Sequence, residues 1–277
     1  MRLMHRLAVL GHPVSHSRSP AMHNAALAEL GMDGEWRYEA IDVAPEDFDE
    51  LVSSLPGQGF VGTSVTVPHK LAALAIADVR SPAAEAIGAA NTLHFREGRI
   101  ECHNTDPNGV LDALPRPPRG MRALVMGAGG SARAAVWGLR EAGARVAIWN
   151  RTEAKARALA EEFGVESVDG ERARAGAWDL LVNTTTVGMR AAGGAPEEED
   201  PLDALPLDVG ALGPGRIVVD LVYGKRETPL AAAARAAGAS VIDGLEVLVR
   251  QGVPQFELWT GRRAPVERMR AAALAAG

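Results

Sequence analysis

Apolar positions fall along this chain in short blocks with two rhythms, and their alternation predicts its elements. Arg6–Leu10 is a compact apolar run closed by Gly11, which suits a buried first strand. Pro20 opens a helical stretch to Leu30, with Pro in the first turn where its missing N–H costs nothing, and Gly31 ends it. Glu35–Ile41 predicts a second strand, Pro45–Leu55 a helix, Phe60–Val67 a β-branched third strand, and His69–Ala77 another helix. Ala90–Phe95 and Ile100–His103 predict two strands joined at Glu97-Gly98. The recurring β-α-β order argues for a mostly parallel sheet covered by helices, an α/β fold.

A Pro cluster, Leu114-Pro115-Arg116-Pro117-Pro118-Arg119-Gly120, is a boundary signal. A second βαβ series follows. Strands are predicted at Met121–Met126, Arg145–Trp149, Leu180–Asn183, Ile217–Asp220 and Ser240–Ile242, and helices up to Ala142, over Glu153–Phe163, over Glu246–Thr260 and from Pro265. Ala191–Gly215, rich in Gly, Pro and acid, predicts an exposed mobile loop without a chemical role.

Composition narrows the function classes. A net charge of −6 and no long basic run make nucleic acid and anionic membrane poor partners. The apolar stretches are too short to span a bilayer, and the basic start lacks a signal peptide's apolar core and cleavage site. Cys102 is the only cysteine, so no intrachain disulfide forms, and a cytoplasmic enzyme is expected. Of 29 basic residues only Lys70, Lys155 and Lys225 are lysines. Because lysine titrates and arginine does not, a lysine in so arginine-biased a chain is a candidate proton handler.

Gly127-Ala128-Gly129-Gly130-Ser131-Ala132 lies between a predicted strand and a predicted helix. There the glycines permit a tight turn, and the helix N-terminus offers N–H donors to a pyrophosphate. A Gly-rich packing turn is the bland alternative. After the next strand, where NAD sites place an acid against the ribose hydroxyls, the chain has Asn150-Arg151-Thr152 and then Lys155. Two cations suit a 2′-phosphate, so NADP is the expected cofactor, unless Arg151 simply lies on a solvated face.

Hydride transfer from a secondary alcohol also needs a proton acceptor beside the reacting carbon. Ser17 and Ser19 precede a helix, where either could serve only as a cap. Thr66-Val67-Pro68-His69-Lys70 puts Lys70 near a strand's C-terminal end, where α/β sheets bind ligands, and Asn91-Thr92 and Asn104-Thr105-Asp106 end other strands. Asp106 near Lys70 would orient the amine, although spacing alone leaves both charges equally compatible with a solvated surface.

Taken together, Ser17-Arg18-Ser19-Pro20, Thr66–Lys70, Gly88-Ala89-Ala90-Asn91-Thr92, Asn104-Thr105-Asp106, Gly127–Ala132, Asn150-Arg151-Thr152, Asn183–Met189, Asp220-Leu221-Val222-Tyr223 and Gln251 resemble the shikimate dehydrogenase family from about Ala8 to Trp259. The resemblance implies Lys70 and Asp106 as the catalytic pair. It implies substrate contacts from Ser17, Ser19, Thr66, Asn91, Tyr223 and Gln251, and an approach of Leu221 and Gly244 to the nicotinamide. It further implies a substrate-binding domain of residues 1–106 plus 240–277, a Rossmann-type NADP domain of 107–239, a cleft between them, and a monomer or homodimer. The implied reaction is reversible reduction of 3-dehydroshikimate to shikimate, in the chorismate and aromatic amino acid pathway. Ser64 stands where the family usually has Asn, Pro107 where Gly is common, and Arg250 and Pro254 where small residues are usual; these bear on substrate preference. Competing expectations are a quinate or aminoshikimate-type dehydrogenase with relaxed nucleotide use and a non-catalytic ligand sensor. A metal-dependent hydrolase using His12, His16, His23 and His69 is the third, but those spacings lack a paired-ligand motif.

Overall fold

The computed structural model describes residues 4–175, 178–189 and 201–276. Two compact units emerge, Met1–Gly109 with Leu248–Gly277, and Val110–Val247. No described helix is long and apolar enough to cross a membrane.

The first unit is built on strands β1 (His5–Gly11), β2 (Trp36–Asp42), β3 (Phe60–Val65), β4 (Val79–Arg80), β5 (Thr92–Arg96) and β6 (Arg99–His103) in the order β2-β1-β3-β5-β6-β4. β1 pairs in parallel with both β2 and β3, and its apolar run reflects burial on both faces. Ala8 and Leu10 pack with Phe48, Val52 and Leu93, whereas Leu7 and Val9 face Tyr38 and Trp259. β5 joins β3, and β6 joins β5, in antiparallel fashion. The two-residue turn Glu97-Gly98, both at positive φ, leaves no room for a crossover helix and so dictates that hairpin. The sheet is therefore mixed, with a parallel core, an antiparallel hairpin of β5 and β6, and β4 paired in parallel with β6 at the edge.

The second unit carries β7 (Arg122–Met126), β8 (Arg145–Trp149), β9 (Glu166–Ser167), β10 (Leu180–Asn183), β11 (Ile217–Asp220) and β12 (Ser240–Ile242), ordered β12-β11-β10-β7-β8-β9 and parallel throughout. The chain runs outward from β7 on one side, then restarts at β10 on the other. That reversal is the switch point at which Rossmann sheets bind nucleotides. Ala123 and Val125 enter one apolar layer, Leu124 and Met126 the opposite one.

Several expectations shift. The expected boundary at 106/107 falls at 109/110, ahead of the Pro cluster, and Val110, Leu111, Ala113 and Leu114 pack on the second unit's core. The expected boundary at 239/240 moves into the helix Gly244–Thr260, since β12 pairs with β11 and Val247 still packs on the second core. Ser19 is not an N-cap. The cap position is Arg18, and the Ser17 hydroxyl accepts from the Ser19 N–H at 3.3 Å. Short elements escaped the pattern: β4, β9 and the helices Pro82–Ile87, Asp106–Leu111, Gly170–Ala175 and Pro229–Ala236. Of the expected loop at 191–215, residues up to 200 lie outside the described ones, and the rest includes two 3-10 turns, Pro201–Ala204 and Val209–Ala211.

His23 is fully buried, stacks on Tyr38 with ring centroids 4.4 Å apart, and has no hydrogen-bond partner at either ring nitrogen. Burial pushes its pKa from 6.5 down to about 3. The unfolded chain therefore takes up this proton where the native one does not, and stability that is full above 6.5 is lost as pH falls toward 3. His23→Phe should flatten the slope of unfolding free energy between those limits by up to about 1.4 kcal/mol per pH unit. Urea melts across the acid range would show it, and an unchanged slope would mean the imidazole is protonated in the native protein.

Candidate active site

Lys70 is the first residue of the helix Lys70–Ile76, reached from β3 through a turn in which the His69 N–H donates to the Thr66 carbonyl. Asp106 opens the helix Asp106–Leu111 after β6, and its N–H donates to Asn104 Oδ1 at 3.1 Å. Lys70 Nζ donates to Asp106 Oδ2 at 2.5 Å, with only 11% and 15% of the two side chains exposed. So enclosed a pair is no solvated surface contact; it binds one charge to the other and directs both. The second carboxylate oxygen, Oδ1, accepts from Asn91 Nδ2 at 2.8 Å. Asn91 is itself buried: its Oδ1 accepts from the Thr105 N–H at 2.8 Å and from Thr92 Oγ1 at 2.7 Å.

Gln251, on the buried face of the helix Gly244–Thr260, accepts from Asn91 Nδ2 at 3.1 Å and donates to the Leu248 carbonyl at 3.0 Å. The structure thus brings Lys70, Asp106, Asn91 and Gln251 into one hydrogen-bonded group. Ser17, Ser19 and Thr66 belong to the same unit as that group, and Tyr223 belongs to the second unit. Tyr38 and Gln255 escaped sequence reasoning as members of the group's surroundings, and Ser64 figured in it only as a departure bearing on substrate preference. The available signal was two glutamines four residues apart, Gln251 and Gln255, on one face of an apolar helix.

In the second unit the cradle is made of backbone. Gly127 has φ +117°, and a Cβ there would run into Thr184 Oγ1, which donates to the Met126 carbonyl at 2.7 Å. Ala128 leads to Gly129, the N-cap of the twelve-residue helix Gly130–Glu141, which has no side-chain cap bond; Ser131 is in its first turn. Backbone amides at such a helix start are the kind of donors that suit an anion. Asn150 Nδ2 donates to the Thr152 carbonyl at 3.0 Å, turning the chain after β8. Arg151 and Lys155 are exposed, with no hydrogen bond or ion pair to either side chain among the described residues. Two such cations beside an open helix N-terminus fit a phosphorylated ribose. Gly244 is needed for packing, since a Cβ would crowd the Leu221 and Val222 carbonyl oxygens. Asn183 Nδ2 and Thr228 Oγ1 donate to the fully buried Asp220, whose carboxyl burial pushes above its usual range.

The four histidines of the metal reading are engaged separately. His12 pairs with Asp42 at 2.7 Å, His23 stacks on Tyr38, His69 bonds the Val43 carbonyl at 2.9 Å, and His16 is exposed. No group of three or more metal-ligating side chains occurs among the described residues.

A switch-point glycine cradle with two exposed cations, and an enclosed amine–carboxylate pair in the companion unit, define a dehydrogenase of the pyridine-nucleotide class. Residues 9–93 match the shikimate dehydrogenase substrate binding domain, 116–184 the shikimate / quinate 5-dehydrogenase family, and 244–274 the shikimate 5'-dehydrogenase C-terminal domain. The NADP(+) shikimate dehydrogenase of Mesorhizobium japonicum is 44% identical over 270 residues, spanning 93% of this chain and 91% of the relative. The crystal structure of shikimate 5-dehydrogenase from Thermus thermophilus, in complex with NADP(H) and shikimate, is 44% identical with a TM-score of 0.87, covering 99% of this chain and 100% of that one. A 5-ketofructose reductase of Gluconobacter is 29% identical with a TM-score of 0.84 over 99% of each chain. The chain belongs to the shikimate dehydrogenase family.

Gly127→Ala combines a left-handed backbone with a collision at Thr184, so it should destabilise the protein by roughly 2–3 kcal/mol. Chemical denaturation measures this, and a loss below about 0.5 kcal/mol would mean the cradle relaxes freely.

Proposed function

We propose that this chain catalyses the NADP-dependent, reversible reduction of 3-dehydroshikimate to shikimate, on the route to chorismate and the aromatic amino acids. The 2.5 Å contact between Lys70 Nζ and Asp106 Oδ2 is the observation that carries the chemistry. The substrate follows from the named relatives, one of them crystallised with NADP(H) and shikimate. A lone buried thiol at Cys102 and an acidic net charge accord with a cytoplasmic setting.

The nucleotide, when bound, supplies or accepts the hydride. Gly127, Ala128, Gly129, Gly130 and Ser131 would hold its pyrophosphate, Asn150, Arg151, Thr152 and Lys155 its phosphorylated ribose, and Leu221 and Gly244 would border the nicotinamide. In the reductive direction Lys70 Nζ gives its proton to the ketone oxygen as negative charge develops there; in the oxidative direction it takes that proton back. Asp106 holds the amine with Oδ2 and stays fixed because Asn91 occupies Oδ1. Asn91 and Gln251 carry amides suited to ring hydroxyls, while Ser17, Ser19, Thr66 and Tyr223 would complete the polar lining. A polyol acid needs such a lining, since each buried polar group left unmatched costs about 1–3 kcal/mol.

Lys70→Ala should lower turnover by roughly 10²–10⁴ while changing the shikimate Michaelis constant far less, and Lys70→Arg should not restore it. Steady-state assays of NADPH formation decide this; near-normal turnover in either variant removes Lys70 from proton transfer. Running wild type on shikimate and quinate with both nucleotides also tests the quinate-type alternative, which would show comparable use of the two acids.

For Arg151→Ala the expected outcome is a Michaelis constant for NADP raised about tenfold or more, equivalent to one charge-assisted bond, with NAD use little changed. Equal losses with both nucleotides would argue against the phosphate contact.

A further inference from the structure

We infer that Tyr38, Ser64 and Gln255 are positioning residues, forming a buried hydrogen-bond chain that fixes the Asn91 amide and through it Asp106, on the footing that Lys70 and Asp106 are the reacting pair. The chain can be followed donor by donor. Tyr38 Oη donates to Ser64 Oγ at 2.7 Å, and Ser64 Oγ donates to Gln255 Oε1 at 2.8 Å. Gln255 Nε2 donates to Thr92 Oγ1 at 2.8 Å, Thr92 Oγ1 to Asn91 Oδ1 at 2.7 Å, and Asn91 Nδ2 to Asp106 Oδ1 at 2.8 Å. The Lys70 amine sits on the other oxygen of that carboxylate.

Direction is what gives the chain a role. Each hydroxyl has one proton to give, so the orientation of the Gln255 amide decides where the Thr92 proton points. Were that amide reversed, its oxygen would take the Thr92 proton and Asn91 Oδ1 would lose a donor. Reversal would also set an oxygen against the Asn91 backbone carbonyl, 3.3 Å from Gln255 Nε2 as it stands. Tyr38 and Ser64 guard the opposite end by presenting a hydroxyl proton to Oε1. Tyr38 is itself clamped, its backbone N–H and C=O both bonded by the Asn24 side chain at 2.9 and 2.7 Å and its ring stacked on His23.

Tyr38, Ser64, Gln255, Thr92 and Asn91 are each no more than 5% exposed, so water does not compete for these bonds. The same burial leaves Tyr38, Ser64 and Gln255 nothing to offer a substrate. Their loss should therefore register mainly in turnover, with only a small change in substrate affinity passed on through Asn91. The Thr105 N–H still holds Asn91 Oδ1 independently, which limits the size of the effect.

The test is a double-mutant cycle on the purified full-length enzyme, reading shikimate oxidation by NADP. Gln255→Met should lower kcat about tenfold and Tyr38→Phe about threefold, with the shikimate KM within about twofold in both. The double variant should match Gln255→Met alone, because the Tyr38 hydroxyl reaches Asn91 by way of Ser64 and Gln255. Multiplying effects, or a loss seen mainly in KM, would overturn the chain. Asp106→Asn runs alongside. If it keeps its turnover, the reacting pair itself is wrong and the inference falls with it; if it collapses while Gln255→Met stays within about twofold of wild type, only the positioning chain is wrong. Should Gln255→Met fail to fold by circular dichroism, Ser64→Ala with Tyr38→Phe forms an equivalent cycle: non-multiplying losses in kcat support the chain, and multiplying ones overturn it.

Discussion

One contact, Lys70 Nζ to Asp106 Oδ2, sets the terms for the rest of the first unit. Lys70 stands at the first position of a helix, where the backbone dipole disfavours a cation. It is also enclosed, so its charge is poorly hydrated. Asp106 answers both difficulties, and it occupies a helix N-terminus where a carboxylate is favoured. A chain selecting only for stability would place an apolar residue at Lys70. The pair is intelligible as a device that keeps a proton-bearing amine fixed and shielded from bulk water.

The two units solve the problem of binding polar ligands by different physical means. The first uses neutral side chains, with Asn91 at the hub accepting and donating to hydroxyl, amide and carboxylate partners at once. The second offers main chain, with Gly127 and a helix start whose N-cap, Gly129, carries no side chain. Its own buried network, Asn183, Asp220 and Thr228, braces the loops after β10 and β11, since Asn183 also accepts from Thr185 and Asp220 from the Val222 N–H. A hydroxyl-rich acid requires many directional partners; a pyrophosphate requires a dense patch of donors. Each scaffold matches one of those demands.

Much of this was legible in the chain itself. Central parallel strands stand out because, buried on two faces, they read as unbroken apolar runs, as in Arg122–Met126. The glycine cradle and the segments containing Lys70 and Asp106 are legible because their residue types are unusual at strand ends. Short elements such as Val79–Arg80 have no periodicity to detect. The expected boundary at 239/240 moved because one continuous helix, Gly244–Thr260, runs from one unit into the other. Tyr38 and Gln255 were invisible for a different reason: a polar side chain in an apolar element announces a partner, but only the fold says that the partner of Gln255 is Ser64 on β3.

The same contact bears on the chain's departures from its family. Serine at position 64 is shorter than the usual asparagine, so it reaches a partner only if one approaches, and Gln255 does so from the helix Gly244–Thr260. Its proton goes to Gln255 and its oxygen accepts from Tyr38, at 5% exposure, so the change is absorbed as an internal bond. Pro107 falls in the first turn of Asp106–Leu111, where no intrahelical N–H is required. Pro254 removes one donor from within Gly244–Thr260, directly before the buried pair Gln255 and Phe256. None of these three changes displaces Lys70, Asp106 or Asn91 from their mutual bonds. The variation has been taken up in the support of the site, and the groups that would meet the alcohol carbon are left as they were.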